Sequence, residues 1–308
     1  MNSERNSPHQ LSIVIPTYGR EEVLIGSISA LLGLEFPANE IIVVDQTANH
    51  QQATTAQLLE WHESGSIRWL KRTKPSITEA MNHGLMKAKN SLVLFLDDDI
   101  IPHEGLVLNH TKAHAADEHL WATVGQVIQP WQKAEVIKPP GKLNGLQKDF
   151  DFPFNSTLDA EVENVMAGNL CVNRERALSI GGFDENFVGA AYRFETDFAR
   201  RIVNAGGKIR FIGSAGIDHL RVATGGTRSK GNHMTSASPL HGFGDYYYAL
   251  RHGSGGEAWA YGIRRFFREI RTRFHLTHPW WIPVKWVGEA RAMLMAGRVL
   301  KKGPNLLR

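Results

Sequence analysis

The chain has 308 residues, of which 42% are hydrophobic and 21% charged, and it carries a net charge of +4. This composition is typical of a globular protein long enough to bury a substantial core. One cysteine, Cys171, excludes a disulfide framework, and no apolar run reaches the about 18 residues that a membrane span needs. The first ten residues contain no apolar signal-peptide core, so we expect a protein of the reducing cytoplasm.

Short apolar runs alternate with helical patterns along the first 100 residues. Strands are predicted at 11–16, 40–45, 67–70 and 91–97, with a helix between each pair. This alternation is typical of βαβ units and a parallel sheet, and the continuous apolar strands indicate a sheet covered on both faces. Ligands bind at the carboxyl ends of such strands. Pro16, Asp45 and a run of three aspartates lie at these ends.

The second part of the chain is less regular. Residues 131–161 combine prolines, glycines and scattered aromatics, which predicts a long loop or lid. Sheet-like character resumes at 163–175, a helical pattern through Phe198 and Ile202 ends at Gly206, and a further strand is predicted at 208–213.

Three aspartates, Asp97, Asp98 and Asp99, directly follow the apolar run of the fourth strand. A single carboxylate there could meet water or cap the next helix. Three in succession between apolar residues favour a cation site, because buried carboxylates are costly unless they are paired or bind a metal. Mg²⁺ or Mn²⁺ on carboxylates usually keeps substrate phosphates among its other ligands. The run therefore predicts a place where a diphosphate is held.

The order of the motifs resembles glycosyltransferase family 2, whose members are nucleotide-sugar-dependent enzymes of the GT-A fold. The resemblance covers about residues 11–221. Besides the aspartate run, the elements that carry it are VIPTYGR (14–20), VVDQTA (43–48), KRTKPSITEAMNHG (71–84) and GGFDENFVGAAYRFETDFARRIVNAGG (181–207).

The resemblance implies a Rossmann-like α/β fold with a mostly parallel central sheet flanked by helices and a helical C-terminal extension. It divides residues 11–221 into a nucleotide-sugar half, at about 11–100, and an acceptor half, at about 101–221. The extension, at 222–308, would hold a basic loop and amphipathic helices. A dinucleotide-binding dehydrogenase is excluded because VIPTYGREEV lacks the glycine fingerprint after the first strand.

The resemblance also implies roles for individual residues. Tyr18 is expected against the base, Asp45 in a bond to the base, and Asp97 or Asp98 in a bond to the ribose. The expected nucleotide-sugar contacts are Pro16, Thr17, Tyr18, Asp45, Arg72, Asn82, Gly84, Asp97, Asp98, Arg228 and Lys230.

A second group of residues carries the expected chemistry. Asp99 is expected to bind a divalent metal, Mn²⁺ or Mg²⁺, and His219 to complete that site. Glu195 stands at the position of the family's catalytic aspartate and is expected to be the general base. Asp184 is expected to brace its loop, and Arg201 to pair with a nearby carboxylate.

The implied function is a metal-dependent inverting glycosyltransferase that uses a UDP-, dTDP- or GDP-linked sugar. Its acceptor would be a hydroxyl of a saccharide or a lipid-linked molecule, in cell-surface polysaccharide or glycolipid synthesis. No nucleic acid partner is expected. The alternative is a non-catalytic nucleotide-sugar-binding or scaffold protein of the same fold. Phe194 and Met81 favour this alternative, since the family usually has charged residues at both positions.

The C-terminal region is strongly basic. Residues 251–308 contain 12 Lys or Arg and 3 Asp or Glu, a net charge of +9, while the other 250 residues sum to about −5. Apolar residues recur at helical spacing in 257–276, and four arginines lie mostly off that face: Arg264, Arg265, Arg268 and Arg271. This pattern, followed by Trp280 and Trp281, predicts peripheral membrane contact through 257–286 at the inner face of the cytoplasmic membrane. A helix packed on the body with a solvated basic face is the competing interpretation.

Overall fold

The computed structural model describes residues 10–137, 145–146, 153–226 and 232–308. The strands in these residues are β1 (Leu11–Thr17), β2 (Glu40–Asp45), β3 (Arg68–Lys71), β4 (Leu92–Leu96), β5 (Ile100–Pro102), β6 (Leu120–Ile128), β7 (Ala160–Val162), β8 (Asn169–Asn173) and β9 (Lys208–His219). The α-helices are α1 (Glu22–Leu32), α2 (Gln52–Glu63), α3 (Ile77–Lys87), α4 (Leu106–Ala116), α5 (Arg174–Ser179), α6 (Phe194–Asn204), α7 (Phe243–His252), α8 (Gly256–Arg268), α9 (Arg273–Thr277) and α10 (Ile282–Lys302).

The strands of the described residues form one sheet in the order β3–β2–β1–β4–β8–β6–β9–β5, with β7 paired to β9. The predicted parallel arrangement of β1 to β4 is confirmed. The second half is mixed, because β8 runs antiparallel to both β4 and β6, while β6 and β9 are parallel. The carboxyl ends of β1, β2, β4, β6 and β9 therefore lie at one edge of the sheet.

Side chains of the central strands alternate between two apolar layers, as the period of a strand requires. Ile13 and Ile15 of β1 pack in the layer that contains Leu24 and Leu58 of α1 and α2. Val14 packs in the opposite layer, which α3, α6 and α7 cover. Helices on both faces explain why the strand sequences are apolar throughout rather than alternating.

Helix α3 approaches β1 closely. Its N-cap Ser76 accepts a hydrogen bond from the Glu79 backbone N–H, which fixes where the helix starts. A Cβ at Gly84 would lie 2.3 Å from Cγ1 of Val14, so only glycine fits at this point of contact. Gly84, which the family resemblance places at the nucleotide sugar, has a packing role in this structure.

The C-terminal extension packs on the sheet through α7. Phe243 and Tyr247 of α7 are buried in the same apolar layer as Val14. Beyond α10 the chain returns to the loop that follows α5, where Leu307 donates its N–H to the Gly181 carbonyl at 2.9 Å. The predicted helical extension is therefore observed, whereas the domain boundary at 221/222 stays a prediction. No helix in the described part of the chain has the length and apolar character to cross a bilayer.

Three elements between residues 100 and 128, namely β5, α4 and β6, were not predicted from the sequence. Strand β9 extends to His219, six residues beyond the predicted end. Of the predicted loop, 131–161, the structure describes residues 131–137, 145–146 and 153–161, which contain no helix longer than a turn. The loop prediction agrees with the described residues up to 159, whereas the last two predicted loop residues begin strand β7.

Gly84→Ala is expected to destabilise the fold by about 1–3 kcal/mol, because its methyl group would force α3 away from β1. Urea denaturation measures the change. Gly26→Ala is the matched control, since Gly26 is also helical but has open space at its Cβ position; it should stabilise by about 1 kcal/mol or less. Equal effects of the two substitutions would contradict the packing role of Gly84.

Candidate active site

The predicted residues at the strand ends do come together. Thr17 ends β1, Asp45 ends β2, the aspartate run follows β4, and His219 ends β9, all at the carboxyl edge. Hydrogen bonds and ion pairs join the residues on β1, β4 and β9. This edge is where open α/β sheets bind ligands.

Asp98 is the buried member of the aspartate run. Its carboxylate accepts a hydrogen bond from the Thr17 hydroxyl at 2.7 Å and from Nε of Arg20 at 3.1 Å. Burial raises the pKa of Asp98 to about 6, although Arg20 and Thr17 oppose the rise. Its backbone carbonyl accepts a bond from the Ser27 hydroxyl. Asp98 therefore holds the strand end in place from within.

Asp97 and Asp99 converge on His219. Nε2 of His219 lies 3.2 Å from an Asp99 oxygen and 3.7 Å from an Asp97 oxygen, while its Nδ1 is 3.1 Å from Oε1 of Gln129. The bond to Asp99 raises the pKa of His219 despite partial burial. Burial would raise the pKa of Asp99, but His219 and Arg20 outweigh it and the pKa is lowered. Asp97 is half-exposed, so it is the member of the run most open to a ligand.

Arg20 is the residue at this site that the sequence analysis missed. Its guanidinium lies 3.1 Å from Asp98 and 3.0 Å from Asp99, and it is almost fully buried. It also donates to the carbonyls of Val222 and Thr224. The sequence signal that could have identified Arg20 is a cation three residues after Thr17, at the end of the strand predicted to lie beside the aspartate run.

The segment after β9 packs against the residues that follow β1, namely Tyr18, Gly19 and Arg20. Gly226 donates its N–H to the Tyr18 carbonyl at 2.7 Å. A Cβ at Gly225 would lie 2.3 Å from the Gly19 carbonyl oxygen, so the two backbones touch. Arg228 and Lys230, which the sequence places on this loop, lie outside the described residues.

Asp45 is fully buried and held by four donors. Nζ of Lys71 and Nε1 of Trp69 lie at 2.8 and 2.9 Å, His50 at 2.9 Å, and the Thr47 N–H at 2.8 Å. Burial would raise the pKa of Asp45, but the donors, above all Lys71, lower it below its usual value. Asp45 is therefore surrounded by basic and aromatic side chains at the end of β2. Its expected hydrogen bond to the nucleobase stays a prediction.

Two further residues that were predicted to contact the nucleotide sugar bind other residues of the protein in this structure. Nδ2 and Oδ1 of Asn82 bond the carbonyl and N–H of Phe183, each at 2.8 Å, so that α3 braces the loop before α6. Arg72 follows β3 and pairs with Glu79 of α3 at 2.8 Å. Pro16 is buried within β1, and Tyr18 is half-buried beside it. Ligand contacts by these four residues stay predictions.

Glu195 lies in the first turn of α6 and is half-buried. Its Oε1 accepts a hydrogen bond from the Ala167 N–H at 3.3 Å. The next residue, Gly168, lies against Asp97, since a Cβ there would be 2.3 Å from an Asp97 oxygen. Glu195 and the aspartate run therefore contact neighbouring residues of one short segment.

Asp197, two residues further along α6, has a different environment. It is fully buried, and its carboxylate lies 2.9 Å from Arg201, 2.9 Å from Arg251 and 2.8 Å from His252. Burial would raise the pKa of Asp197, but these three partners lower it. The expected pairing of Arg201 is thereby observed. Asp184 is likewise buried and accepts bonds from Tyr247 and Arg251, which agrees with a bracing role.

The side chains around His219 are of the chemical types that bind a divalent cation. Two carboxylates and one imidazole are ligands of Mn²⁺-type ions, and both carboxylates face the same ring nitrogen. No three His, Cys, Asp or Glu side chains among the described residues are already spaced to hold an ion. His219 must give up its proton before its nitrogen can bind a metal, so its bond to Asp99 competes with metal binding.

Residues 12–164 match the model of glycosyl transferase family 2. This segment belongs to that family. The predicted family and fold are thereby confirmed, with Asp45 and the aspartate run inside the matched segment and Glu195 and His219 beyond it.

Two curated relatives carry glycosyltransferase names. The chain is 30% identical over 242 residues to the uncharacterized glycosyltransferase YfnE of Bacillus subtilis, covering 63% of this chain and 60% of the relative. It is 30% identical over 91 residues to a GalNAc(5)-diNAcBac-PP-undecaprenol beta-1,3-glucosyltransferase of Campylobacter jejuni, which is 29% of each chain. The chain thus spans less than two thirds of either relative.

Solved structures show the same fold at low identity. Residues 1–349 of S. aureus TarS with UDP-GlcNAc superpose with a TM-score of 0.61 and 15% identity, covering 93% of this chain and 81% of that one. The mannosyltransferase PcManGT from Pyrobaculum calidifontis, with GDP-Man and Mn²⁺, gives 0.55 and 17% identity, covering 96% and 79%. These matches confirm a GT-A architecture around the edge just described.

Proposed function

We propose that the chain is a metal-dependent inverting glycosyltransferase, which moves a sugar from a nucleoside-diphosphate sugar to an acceptor hydroxyl. The observation that carries this proposal is the meeting of Glu195 and Asp97 on the segment Ala167–Gly168. A half-buried carboxylate that could accept a proton lies next to carboxylates that could hold the divalent cation of a bound diphosphate. Family membership and the nucleotide sugars in the neighbouring structures support the same reaction type.

In this mechanism Glu195 accepts the proton of the acceptor hydroxyl while that oxygen bonds the anomeric carbon. The bond from the anomeric carbon to the diphosphate breaks, and the diphosphate leaves with the electron pair. Asp97, the exposed aspartate, contacts the ligand, whereas Asp98 keeps the strand end rigid through Thr17 and Arg20. General base catalysis of this kind contributes about 10²- to 10⁴-fold.

Asp97, Asp99 and His219 would hold the divalent cation, Mn²⁺ or Mg²⁺. A cation there would act as a Lewis acid that stabilises charge on the leaving diphosphate. Arg20 contacts both Asp98 and Asp99, so it limits the repulsion between these carboxylates before a cation is bound. His219 would contribute its Nε2, which contacts Asp99 in this structure, to holding the cation.

The acceptor is proposed to be a saccharide or lipid-linked molecule of cell-surface polysaccharide or glycolipid synthesis. The Campylobacter relative, whose name specifies an undecaprenol-linked substrate, supports this class. The competing function is a non-catalytic nucleotide-sugar-binding or scaffold protein, which Met81 and Phe194 favoured. Both residues are buried in the apolar core, where a charged side chain would be costly, so their apolar nature has a packing reason.

Glu195→Gln is expected to lower transfer by about 10²-fold or more, because an amide cannot accept the proton. Binding of the nucleotide sugar, measured by calorimetry across UDP-, dTDP- and GDP-linked sugars, should remain. Glu161→Gln, an exposed substitution on β7, is the control and should keep full turnover. If Glu195→Gln retains most of its turnover, the base lies elsewhere; Asp197 is a poor substitute, since Arg201, Arg251 and His252 already hold its carboxylate.

Removal of divalent metal with EDTA is expected to stop transfer, and Mn²⁺ or Mg²⁺ should restore it. Asp99→Asn should weaken Mn²⁺ binding, which electron paramagnetic resonance of free Mn²⁺ measures in the presence of UDP. Circular dichroism before and after EDTA checks that the fold is retained. Full transfer in EDTA would exclude the proposed role of Asp97, Asp99 and His219.

Peripheral membrane contact through α8 and the adjoining helices is a second proposal, and it concerns a surface away from the active site. The buried face of α8 is polar in part. Arg265 lies inside, 2.8 Å from Asp245 and 3.2 Å from Glu289, and Tyr261 is buried beside it. Arg265 lies off the apolar face, as predicted, but it is buried and paired with Asp245 and Glu289, so its expected contribution to a cationic membrane surface is wrong.

The outer face of α8 is apolar instead. Trp259, Ile263 and Phe267 are 62%, 56% and 44% exposed. Trp286 of α10 stacks on Phe266 of α8. Further exposed apolar residues lie in the segments that follow α8, namely Leu276, Trp280 and Val287. Contiguous apolar surface of this kind is rare on monomeric proteins and marks interaction sites.

Exposed arginines lie next to the apolar residues along the sequence of α8 and shortly after it. Arg264, Arg268 and Arg271 are exposed, while Arg265 is not available. Apolar side chains with exposed arginines match an anionic lipid surface, where the apolar residues enter the interface and the cations meet headgroups. Each cation contributes about 1 kcal/mol at most, so several are needed.

Replacing Arg264, Arg268 and Arg271 with Gln is expected to reduce binding to anionic vesicles by about tenfold or more at low salt. Co-sedimentation with phosphatidylserine–phosphatidylcholine vesicles and with pure phosphatidylcholine vesicles measures it. The control replaces Lys89, Lys112 and Lys208 with Gln, which removes the same charge from exposed sites elsewhere. Equal binding of wild type to both kinds of vesicle, or equal losses in the two triple variants, would contradict a lipid surface as the partner.

A further inference from the structure

The segment after α10, residues 303–307, lies along the loop between α5 and α6, and we call it the strap. The Leu307 N–H donates to the Gly181 carbonyl, and the Asn305 carbonyl accepts from the Glu185 N–H, both at 2.9 Å. The two segments therefore run in opposite directions. Because backbone groups pair at both ends of the contact, the strap has a fixed register on the loop.

The loop receives the strap at a pair of glycines. Gly181 and Gly182 have φ of 81° and 62°, a region that favours glycine. A Cβ at Gly181 would lie 2.7 Å from Cβ of Leu306, and one at Gly182 would lie 2.9 Å from Cδ1 of Leu307. Both leucines thus contact backbone that carries no side chain, and Leu307 also packs against the apolar layer that contains Val14. Larger residues in the loop would push the strap away.

Asp184 connects the strap to the first turn of α6. Its Oδ1 accepts the Asn305 N–H at 2.9 Å, and its Oδ2 pairs with Arg251. The same guanidinium lies 2.9 Å from Asp197, two residues after Glu195. Asp184 is fully buried, and the loss of a donor to a buried carboxylate is costly. Loss of the strap would therefore disturb the charges that hold this turn.

Arg201 forms a second connection between the loop and α6. Its guanidinium donates to the carbonyls of Ile180 and Gly182 at 2.8 and 2.7 Å, and its Nε pairs with Asp197 at 2.9 Å. The strap bonds the carbonyl between these two, that of Gly181. Successive carbonyls of the loop are therefore bonded alternately by α6 and by the strap, so a displaced strap would move the loop relative to α6.

We infer that the strap is a positioning element for Glu195, the proposed general base. The inference rests on the proposed transferase function and deepens it. Displacement of a catalytic group by about 1 Å can cost about 10²-fold in rate. Asp45 and the aspartate run, which are expected to hold the nucleotide sugar, lie on other elements, at the ends of β2 and β4. Release of the strap should therefore lower kcat and leave the KM for the nucleotide sugar unchanged.

Leu306→Glu combined with Leu307→Glu tests the strap, because a carboxylate cannot pack on the glycine pair and the apolar layer. Leu294→Glu combined with Leu300→Glu is the matched control, with the same charges on exposed positions of α10. Turnover is measured as nucleoside-diphosphate release from UDP-GlcNAc and GDP-Man, with water as the acceptor. The strap variant is expected to lose about tenfold in kcat, with its KM within about twofold of wild type, and the control should equal wild type. Leu306→Met with Leu307→Met, which conserves volume, should retain kcat.

Hydrogen–deuterium exchange needs no substrate and tests the same contact directly. In the strap variant, exchange is expected to rise in peptides from 181–204 and to equal that of wild type in peptides from 11–45. If the double variant does not fold by circular dichroism, Leu307→Ala carries both expectations. The inference is wrong if exchange in α6 stays unchanged, if kcat is retained, or if KM rises as much as kcat falls. Failure of the transferase proposal appears separately, as the expected change in exchange while wild type releases no nucleoside diphosphate from any UDP-, dTDP- or GDP-linked sugar.

Discussion

The carboxyl edge of the sheet depends on Arg20. Three consecutive aspartates at a strand end repel each other, and Asp98 is buried, so the strand end could not persist without a compensating charge. Arg20 provides it by contacting Asp98 and Asp99 at once. The same guanidinium donates hydrogen bonds to the carbonyls of Val222 and Thr224, which joins the end of the first strand to the segment after β9. One cation therefore stabilises the acidic site and positions the segment beside it.

A second set of buried charges connects the C-terminal helices to the candidate base. Arg251 and His252 of α7 hold Asp197, two residues after Glu195. On the other side of Glu195, Arg193 bonds Asp245 of α7 at 3.0 Å and takes a positive φ of 72°. Helix α7 thus fixes the first turn of α6 from both sides. Buried ion pairs add little net stability but specify geometry, because a charge left unpaired is costly. The extension is for this reason a structural part of the site.

The sequence predicted the first half of the fold and the acidic edge well, because both depend on local signals. Apolar runs of four to six residues define β1 to β4, and three adjacent aspartates need an explanation wherever they occur. Arg20 was missed because its partners are about 80 residues away, and no local pattern reveals such a contact. Strand β6 was missed for a related reason: its partners β8 and β9 lie far along the chain, and LWATVGQVI alone does not separate a strand from a buried helix.

Helix α8 shows where a pattern identifies a surface but not its orientation. The helical period correctly groups Trp259, Ile263 and Phe267 on one face, and an apolar face is normally the buried one. Here α7 offers α8 a carboxylate, Asp245, so the face that carries Arg265 packs inward and the aromatic face points outward. Burial of Arg265 is favourable only with Asp245 and Glu289 in place, and these partners come from two other helices. The exposure of the aromatic face is thus a consequence of ion pairs with other helices, which the periodicity of a single helix cannot predict.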